Sequence, residues 1–221
     1  MLEEKVIYEI INMFFEELFN IKPLNAEIPL KWLEKTAKFI HVKHIFEEII
    51  SKLTSKEHFN RVLWIANKTD ADDLKRFIVK NTIEACKSYY DLKQIIGLIE
   101  DNLNNDYDYI IDPLLDLFKF VTHDNNPEYH KGIIEICVLK KNLFNEENFS
   151  IIADELKPLL ISKSKSNNKF ALASLLEIFD NIPKKKIGSL KNILVDENFE
   201  TENDEEFKTI LEKIKEKFKL K

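Results

Sequence analysis

Apolar residues recur along the chain at intervals of three and four positions, which places them on one side of an α-helix. Two stripes show this spacing most clearly, namely Val79, Ile83, Cys86 and Tyr90, and Ile7, Ile10, Phe14 and Leu18. Other segments, such as residues 62–66 and 110–121, are apolar on nearly all sides. The pattern therefore predicts amphipathic helices, some of them enclosed by neighbours, and no segment shows the regular alternation of a strand.

The periodicity predicts about eleven or twelve helices joined by short polar corners. They cover approximately residues 2–19, 26–40, 43–52, 55–67, 71–89, 91–100, 107–122, 127–140, 146–161, 169–180, 184–195 and 204–219. Short connections between helices favour antiparallel neighbours. The predicted fold is therefore all-α, a stack of antiparallel helix pairs that forms an αα-hairpin superhelix.

Several helix starts are marked by residues that cap free backbone amides. Residues 54–57 (TSKE) fit a capping box, in which a hydroxyl and a Glu three residues later satisfy amides of the first turn. Asp112 and Asn126 each precede a proline, which suits the first helical position because proline lacks an N–H. Asn145 is followed by two acids, where the helix dipole favours negative charge.

Two polar stretches interrupt the helical pattern near the C-terminus. Residues 162–169 (SKSKSNNK) have low complexity, and residues 196–206 are acidic and carry no packing pattern. We therefore predict a main helical domain over residues 1–161 and a C-terminal helical extension over residues 169–221.

Composition narrows the choice of function. Glycine (3) and proline (6) are too scarce for the many tight turns of an all-β protein of this length. The net charge of −6 argues against a general nucleic-acid binder, which usually carries a basic surplus. Lysine concentrates in residues 183–191 and 212–221, where contact with RNA or an acidic partner is an alternative to the favoured interpretation, a solvated helix face and basic tail.

The chain carries the features of an intracellular protein. Its first 19 residues include five acids and lack the basic start and small-residue cleavage site of a signal peptide. The longest charge-free run there, residues 10–15, is far shorter than the roughly 20 residues that span a bilayer. Cys86 and Cys137 lie in apolar helical segments, which indicates small buried thiols in a reducing compartment. We expect a cytoplasmic or nuclear protein with no membrane segment.

Histidines provide the only candidates for chemistry. His123 and His130 flank a polar corner with Asp124, and such a group could bind a metal or exchange protons. The favoured interpretation is structural, because a histidine in the last turn of a helix bonds free carbonyls. His41, His44 and the acids Glu47 and Glu48 do not fit the H-E-x-x-H spacing of zinc proteases, so a solvated helix start is favoured there.

Motifs of common enzyme classes do not occur in the sequence. The three glycines are isolated, so they form no phosphate-binding loop, and there is no G-x-S-x-G turn or paired-cysteine zinc spacing. We therefore predict a protein that is not an enzyme and takes no cofactor or metal. A helical enzyme that uses His123, His130 and Asp124 remains the alternative from another class.

The order of segments resembles the BTB–BACK family. Residues 14–53 resemble the last helices of a BTB domain, and residues 53–85 are similar to the opening of a BACK domain. Residues 98–124 and 139–149 parallel later BACK segments, with His123 and Asp124 at the His-Asp position of the family. The resemblance covers about residues 10–160, while the strand-rich first half of a BTB domain and the Kelch repeats have no counterpart.

This resemblance implies a function as an adaptor. BTB–BACK proteins bind a cullin-type ubiquitin ligase scaffold, so the resemblance implies a non-catalytic protein–protein interaction module with a scaffold surface on the helices of residues 43–67. The implied partner-binding residues are Ile49, Leu53, His58, Phe59 and Val62. For the apolar residues among them, core packing is the competing interpretation.

A helical repeat protein is the second candidate. Helix pairs recur about every 30–45 residues, which is the range of helical solenoids. A HEAT- or armadillo-like stack would grip a protein or peptide partner with one row of helices.

Overall fold

The computed structural model describes residues 43, 46, 47, 50, 51, 56–69, 71–103, 108–197, 199 and 204–220. All regular structure in this part of the chain is helical, with no strand, which confirms the all-α prediction. The helices are α1 (Lys56–Lys68), α2 (Asp72–Glu84), α3 (Tyr89–Asn102), α4 (Asp108–Asp116), α5 (Pro127–Leu139), α6 (Glu146–Leu160), α7 (Lys165–Ile178), α8 (Lys184–Asp196) and α9 (Glu205–Phe218). Three single 3₁₀ turns follow α4, α5 and α7, at Leu117–Lys119, Lys141–Leu143 and Phe179–Asn181.

Polar side chains start most of these helices, as the sequence predicted. Asn126 accepts a hydrogen bond from the backbone N–H of Tyr129, with Pro127 in the first turn of α5. Asn145 and Asn148 bond each other's backbone N–H groups at 2.9 and 3.0 Å, which starts α6. The predicted capping box at residues 54–57, the stripe from Ile7 to Leu18 and the first two predicted helices lie outside the described residues.

One predicted start was wrong. Pro113 lies inside α4 and does not begin a helix. Because proline has no N–H, it cannot bond the carbonyl of Tyr109 four residues earlier, and α4 gives way to a 3₁₀ turn after Asp116. The apolar packing of the segment outweighs this lost bond, since Ile110, Leu114 and Leu115 are all buried.

The predicted helix over residues 71–89 is shorter in the structure. α2 ends at Glu84, and Ser88 starts a new helix by accepting a bond from the Asp91 N–H at 3.2 Å. Val79, Ile83 and Cys86 are buried as the stripe required, but Tyr90 belongs to α3 and is 70% exposed. The local cap at Ser88 therefore interrupts a stripe that the spacing alone would continue.

The chain divides into two compact units, Met1–Pro113 and Leu114–Lys221. In the first unit α1 packs against both α2 and α3, and α2 also packs against α3. Side-chain hydrogen bonds join these helices to each other and to α4. Asn102 donates to Asn60 at 2.9 Å, and the Tyr109 hydroxyl donates to Asp72, whose pKa this bond and the Arg76 guanidinium lower.

The second unit consists of two layers of helices. α7 packs against α5 and α9, and α6 packs against α8, so each of these contacts joins helices that are two apart in the chain. α6 also packs against its direct neighbours α5 and α7. α5, α7 and α9 therefore form one layer and α6 and α8 the other, as in a stack of hairpins.

The polar stretch at residues 162–169 lies within the second unit. α7 already begins at Lys165, and Asn168 is only 8% exposed. Its side-chain amide donates to the carbonyls of Leu159, Leu160 and Ser162 at 3.0, 2.9 and 2.9 Å. The low-complexity segment is thus a closed corner between α6 and α7, because its asparagine satisfies carbonyls that the end of α6 leaves free.

The C-terminal helix α9 packs against α7. Its inner residues Phe207, Ile214 and Phe218 are buried, and the rings of Phe218 and Phe179 lie 4.8 Å apart. Asp204 starts the helix by accepting a bond from the Phe207 N–H at 2.9 Å, and Lys169 of α7 reaches the same carboxylate at 3.1 Å.

Within the described part of the chain, every helix is too short or too polar to cross a bilayer.

Candidate functional site

The five predicted partner-binding residues differ in accessibility. Ile49 and Leu53 lie outside the described residues. Val62 has no exposed surface and packs in the core of the first unit, whereas His58 and Phe59 are half-buried on α1. Of the described residues in this set, a partner can reach only His58 and Phe59 without opening the core. That these residues bind a partner remains a prediction.

The outer face of α1 carries residues that the sequence interpretation missed. Arg61, Trp64 and Lys68 follow each other at spacings of three and four, on the side away from Val62 and Ala66. Arg61 and Trp64 are half-buried, and the ammonium group of Lys68 lies 5.7 Å from the centre of the Trp64 ring. Trp64 was missed because it lies within the apolar run of residues 62–66. Its position two residues after Val62 nevertheless places it on the opposite side of the helix.

His130 is a fully buried histidine in α5. Its Nε2 atom lies 2.9 Å from a carboxylate oxygen of Glu155 in α6. A carboxylate only accepts hydrogen bonds, so in the neutral form of the imidazole Nε2 carries the proton and Nδ1 keeps a free lone pair. This Nδ1 atom is buried and has no hydrogen-bond partner.

His123 stands next to His130. The two ring centres lie 6.2 Å apart, and the ring of Phe118 packs edge-on against His130 at 5.6 Å. The Nδ1 atom of His123 is likewise buried without a hydrogen-bond partner. A buried polar atom without a partner costs about 1–3 kcal/mol, so two of them in one place require an explanation.

The polar corner between His123 and His130 is closed by Asn125, whereas the sequence suggested His123. Asn125 donates from its side-chain amide to the free carbonyl of Phe120 at 2.7 Å, and its side-chain oxygen accepts from the Thr122 N–H at 2.9 Å. His123 was expected to bond such carbonyls, but its Nδ1 makes no bond of this kind. Asparagine suits this position because its short amide returns to the backbone of its own turn.

The structure brings together only part of the predicted catalytic group. His123 and His130 are neighbours, whereas Asp124 is exposed to solvent and the acid that contacts His130 is Glu155. The described residues contain no group of three or more His, Cys, Asp or Glu side chains that could hold a metal ion. His41, His44 and Glu48 lie outside the described residues, and Glu47 is exposed.

Both cysteines are buried free thiols, as the sequence predicted. Burial raises the pKa of Cys86 to about 12, and it raises the pKa of Cys137 still further. A thiol must lose its proton to act as a nucleophile, so both side chains serve as small core residues.

Comparison with protein-family models, with curated proteins and with solved structures finds no match for this chain.

Proposed function

We propose that this chain is a non-catalytic protein–protein interaction module that acts as an adaptor or scaffold in the cytoplasm or nucleus. The observation that carries the proposal is the outer face of α1, where Trp64 and Arg61 stand half-buried in one row. Tryptophan and arginine dominate the residues whose truncation weakens protein interfaces most. The resemblance to BTB–BACK adaptors assigns its partner surface to the same helix.

The chemistry of this row suits a protein partner. The accessible part of the Trp64 ring is apolar, and burying it against a partner removes that surface from water. Arg61 supplies a planar cation that pairs with carboxylates or aromatic rings. A partner with an apolar pocket edged by acidic side chains fits this row best, and a cullin-type ubiquitin ligase scaffold is the partner that the family resemblance implies.

A HEAT- or armadillo-like scaffold is the second candidate. The two layers of the second unit favour it, because α5, α7 and α9 pack side by side as successive helices of a solenoid do. In that function the protein or peptide partner binds along one layer, away from α1.

A photo-crosslinking experiment distinguishes these functions. A photoreactive amino acid replaces Trp64 in one variant and Tyr90, which is 70% exposed in the same unit, in a matched control. After irradiation in cell extract, we expect specific protein adducts at position 64 that are absent at position 90. A cullin-type protein among the adducts supports the adaptor, whereas identical or absent adducts at the two positions contradict the α1 surface.

Loss of binding must be separated from loss of folding. Trp64→Ala should lower the yield of the captured partner at least tenfold, while circular dichroism shows an unchanged helix content. Tyr90→Ala should leave the yield unchanged. If Trp64→Ala retains the partner, the helical-repeat scaffold replaces the adaptor as the preferred function.

A further inference from the structure

We propose that His123 and His130 form a binding site for a transition-metal ion of the zinc class, which they bind through their Nδ1 atoms. Both atoms are buried, and neither has a hydrogen-bond partner. Imidazole nitrogen is a preferred ligand of zinc, copper and nickel ions. The site lies in the second unit and does not depend on the α1 surface.

Glu155 prepares His130 for this function. Histidines that bind metals almost always donate their other ring N–H to a carboxylate or carbonyl, which fixes the tautomer and strengthens the ligand. In its neutral form His130 has this arrangement, because Nε2 contacts the Glu155 carboxylate at 2.9 Å and the buried Nδ1 has no hydrogen-bond partner. Glu155 is thus a positioning residue and does not contact the ion.

The separation of the rings is compatible with a shared ion. A zinc–nitrogen bond of about 2.0–2.1 Å and a distance of about 1.1 Å from nitrogen to ring centre allow two ring centres on one ion to lie at most about 6.4 Å apart. At a tetrahedral angle the separation is about 5 Å. The observed 6.2 Å lies within the upper limit.

The surroundings determine what kind of site this is. Phe118 packs against His130, and no third His, Cys, Asp or Glu of the described residues joins the two rings in a metal-binding group. In the proposed site the remaining coordination positions are left to water. An ion held by His123 in the corner and by His130 in α5 would fix the corner to the helix, and α5 is linked to α6 through Glu155.

Metal binding can be measured directly on the full chain. After treatment with a chelator, the protein is titrated with Zn²⁺ while its melting temperature is followed, and with Co²⁺ while the visible absorption of the cobalt ion is followed. A ligand that binds only the folded state raises the melting temperature as its concentration exceeds the Kd. We expect a rise with Zn²⁺ and a cobalt spectrum that shows nitrogen ligands.

Three variants test the assignment. His123→Asn should abolish the zinc-dependent shift, whereas His58→Asn, which removes a half-buried histidine from the first unit, should retain it. Glu155→Gln should weaken zinc binding by about 10- to 100-fold, because a neutral amide accepts more weakly than a carboxylate and can also donate, so it no longer enforces the Nε2–H tautomer of His130. Circular dichroism confirms that each variant is folded before metal is added.

Two results would overturn the proposal. The first is a melting temperature of the wild type that does not respond to Zn²⁺. The second is an equal response of wild type and His123→Asn, which would place the ion elsewhere. A buried water molecule between the rings would then be the better explanation for the two Nδ1 atoms, since it can donate to both.

Discussion

Asn168 shows how a single side chain determines a corner between two helices. The end of α6 leaves carbonyl groups without intrahelical partners, and the amide of Asn168 donates to three carbonyls of this region. The side chain is nearly inaccessible, so water cannot replace it. The sequence did not reveal this function, because Asn168 is surrounded by polar residues and a sequence does not distinguish a buried asparagine from a solvated one.

Replacing Asn168 by leucine, which has a similar volume and no donor, should therefore destabilise the second unit. The carbonyls of Leu160 and Ser162 would lose their side-chain donor inside the protein, while that of Leu159 keeps the Ser162 N–H at 3.4 Å, and the cost is about 1–3 kcal/mol in the free energy of unfolding. Urea unfolding followed by circular dichroism measures this change. Asn192→Leu, at an exposed asparagine of α8, is the control and should change the free energy by less than about 0.5 kcal/mol.

Residue chemistry identified only part of the candidate site. His123 and His130 could be selected from the sequence because they flank one short corner, so chain connectivity alone brings them close. Glu155 could not, because it lies 25 positions after His130 and meets it only through the packing of α6 on α5. Trp64 was missed for the same reason, because whether its side chain faces outward depends on which side of α1 the rest of the first unit covers.

At the scale of elements, the sequence located helices well wherever local chemistry determines them. Asn126 and Asn145 start α5 and α6 through bonds within three residues, so their function is visible in the sequence. The helix start predicted at Pro113 was wrong, because a proline is tolerated inside a helix when that helix buries enough apolar surface. The end of α2 was missed because periodicity measures spacing and takes no account of the cap that Ser88 supplies.

The cap of α9 makes its docking sensitive to acid. The bond from the Phe207 N–H, and then Lys169, lower the pKa of Asp204 below its usual 3.8. A carboxylate whose pKa is lowered by folding stabilises the folded state at pH values above the pKa that this group has in the unfolded chain. This contribution is lost as the pH falls through the pKa of the group in the folded state. The wild type should therefore lose stability below about pH 4.

Asp204→Asn separates the charge from the cap. Asparagine still accepts the Phe207 N–H but cannot be protonated in this range, so the variant should lose less stability between pH 7 and pH 2.5 than the wild type. Thermal melts at both pH values give the difference. Lys208→Met, at an exposed lysine of the same helix, should lose as much as the wild type. Equal losses in Asp204→Asn and the wild type would contradict this function of Asp204.

At the scale of the whole molecule, the all-α class and the stacked hairpins followed from the sequence because hydrophobic periodicity is a property of the entire chain. The division of the chain after Pro113 could not be predicted from the sequence. It depends on which helices contact each other and not on where polar residues cluster along the chain. The BTB–BACK interpretation concerns a partner, and it stays a prediction until the crosslinking experiment is done.

The two buried cysteines report on the two units separately. Cys86 belongs to the first unit and Cys137 to the second, and burial raises the pKa of both thiols. We expect a thiol reagent at pH 8 to label the folded protein at least a hundredfold more slowly than the unfolded chain, because each thiol reacts only after its unit opens. Mass spectrometry of the two cysteine peptides gives each rate, and labelling of either at the unfolded rate would show that its unit is open.

The closed corner at Asn168 also has a consequence for the ageing of the protein. Asparagine side chains slowly lose ammonia and become aspartate, which is one reason why heat-adapted proteins contain few of them. At this position the reaction would exchange a donor of three hydrogen bonds for a negative charge facing the carbonyl end of α6. A mass increase of about one dalton at this residue would therefore mark molecules whose second unit is less stable.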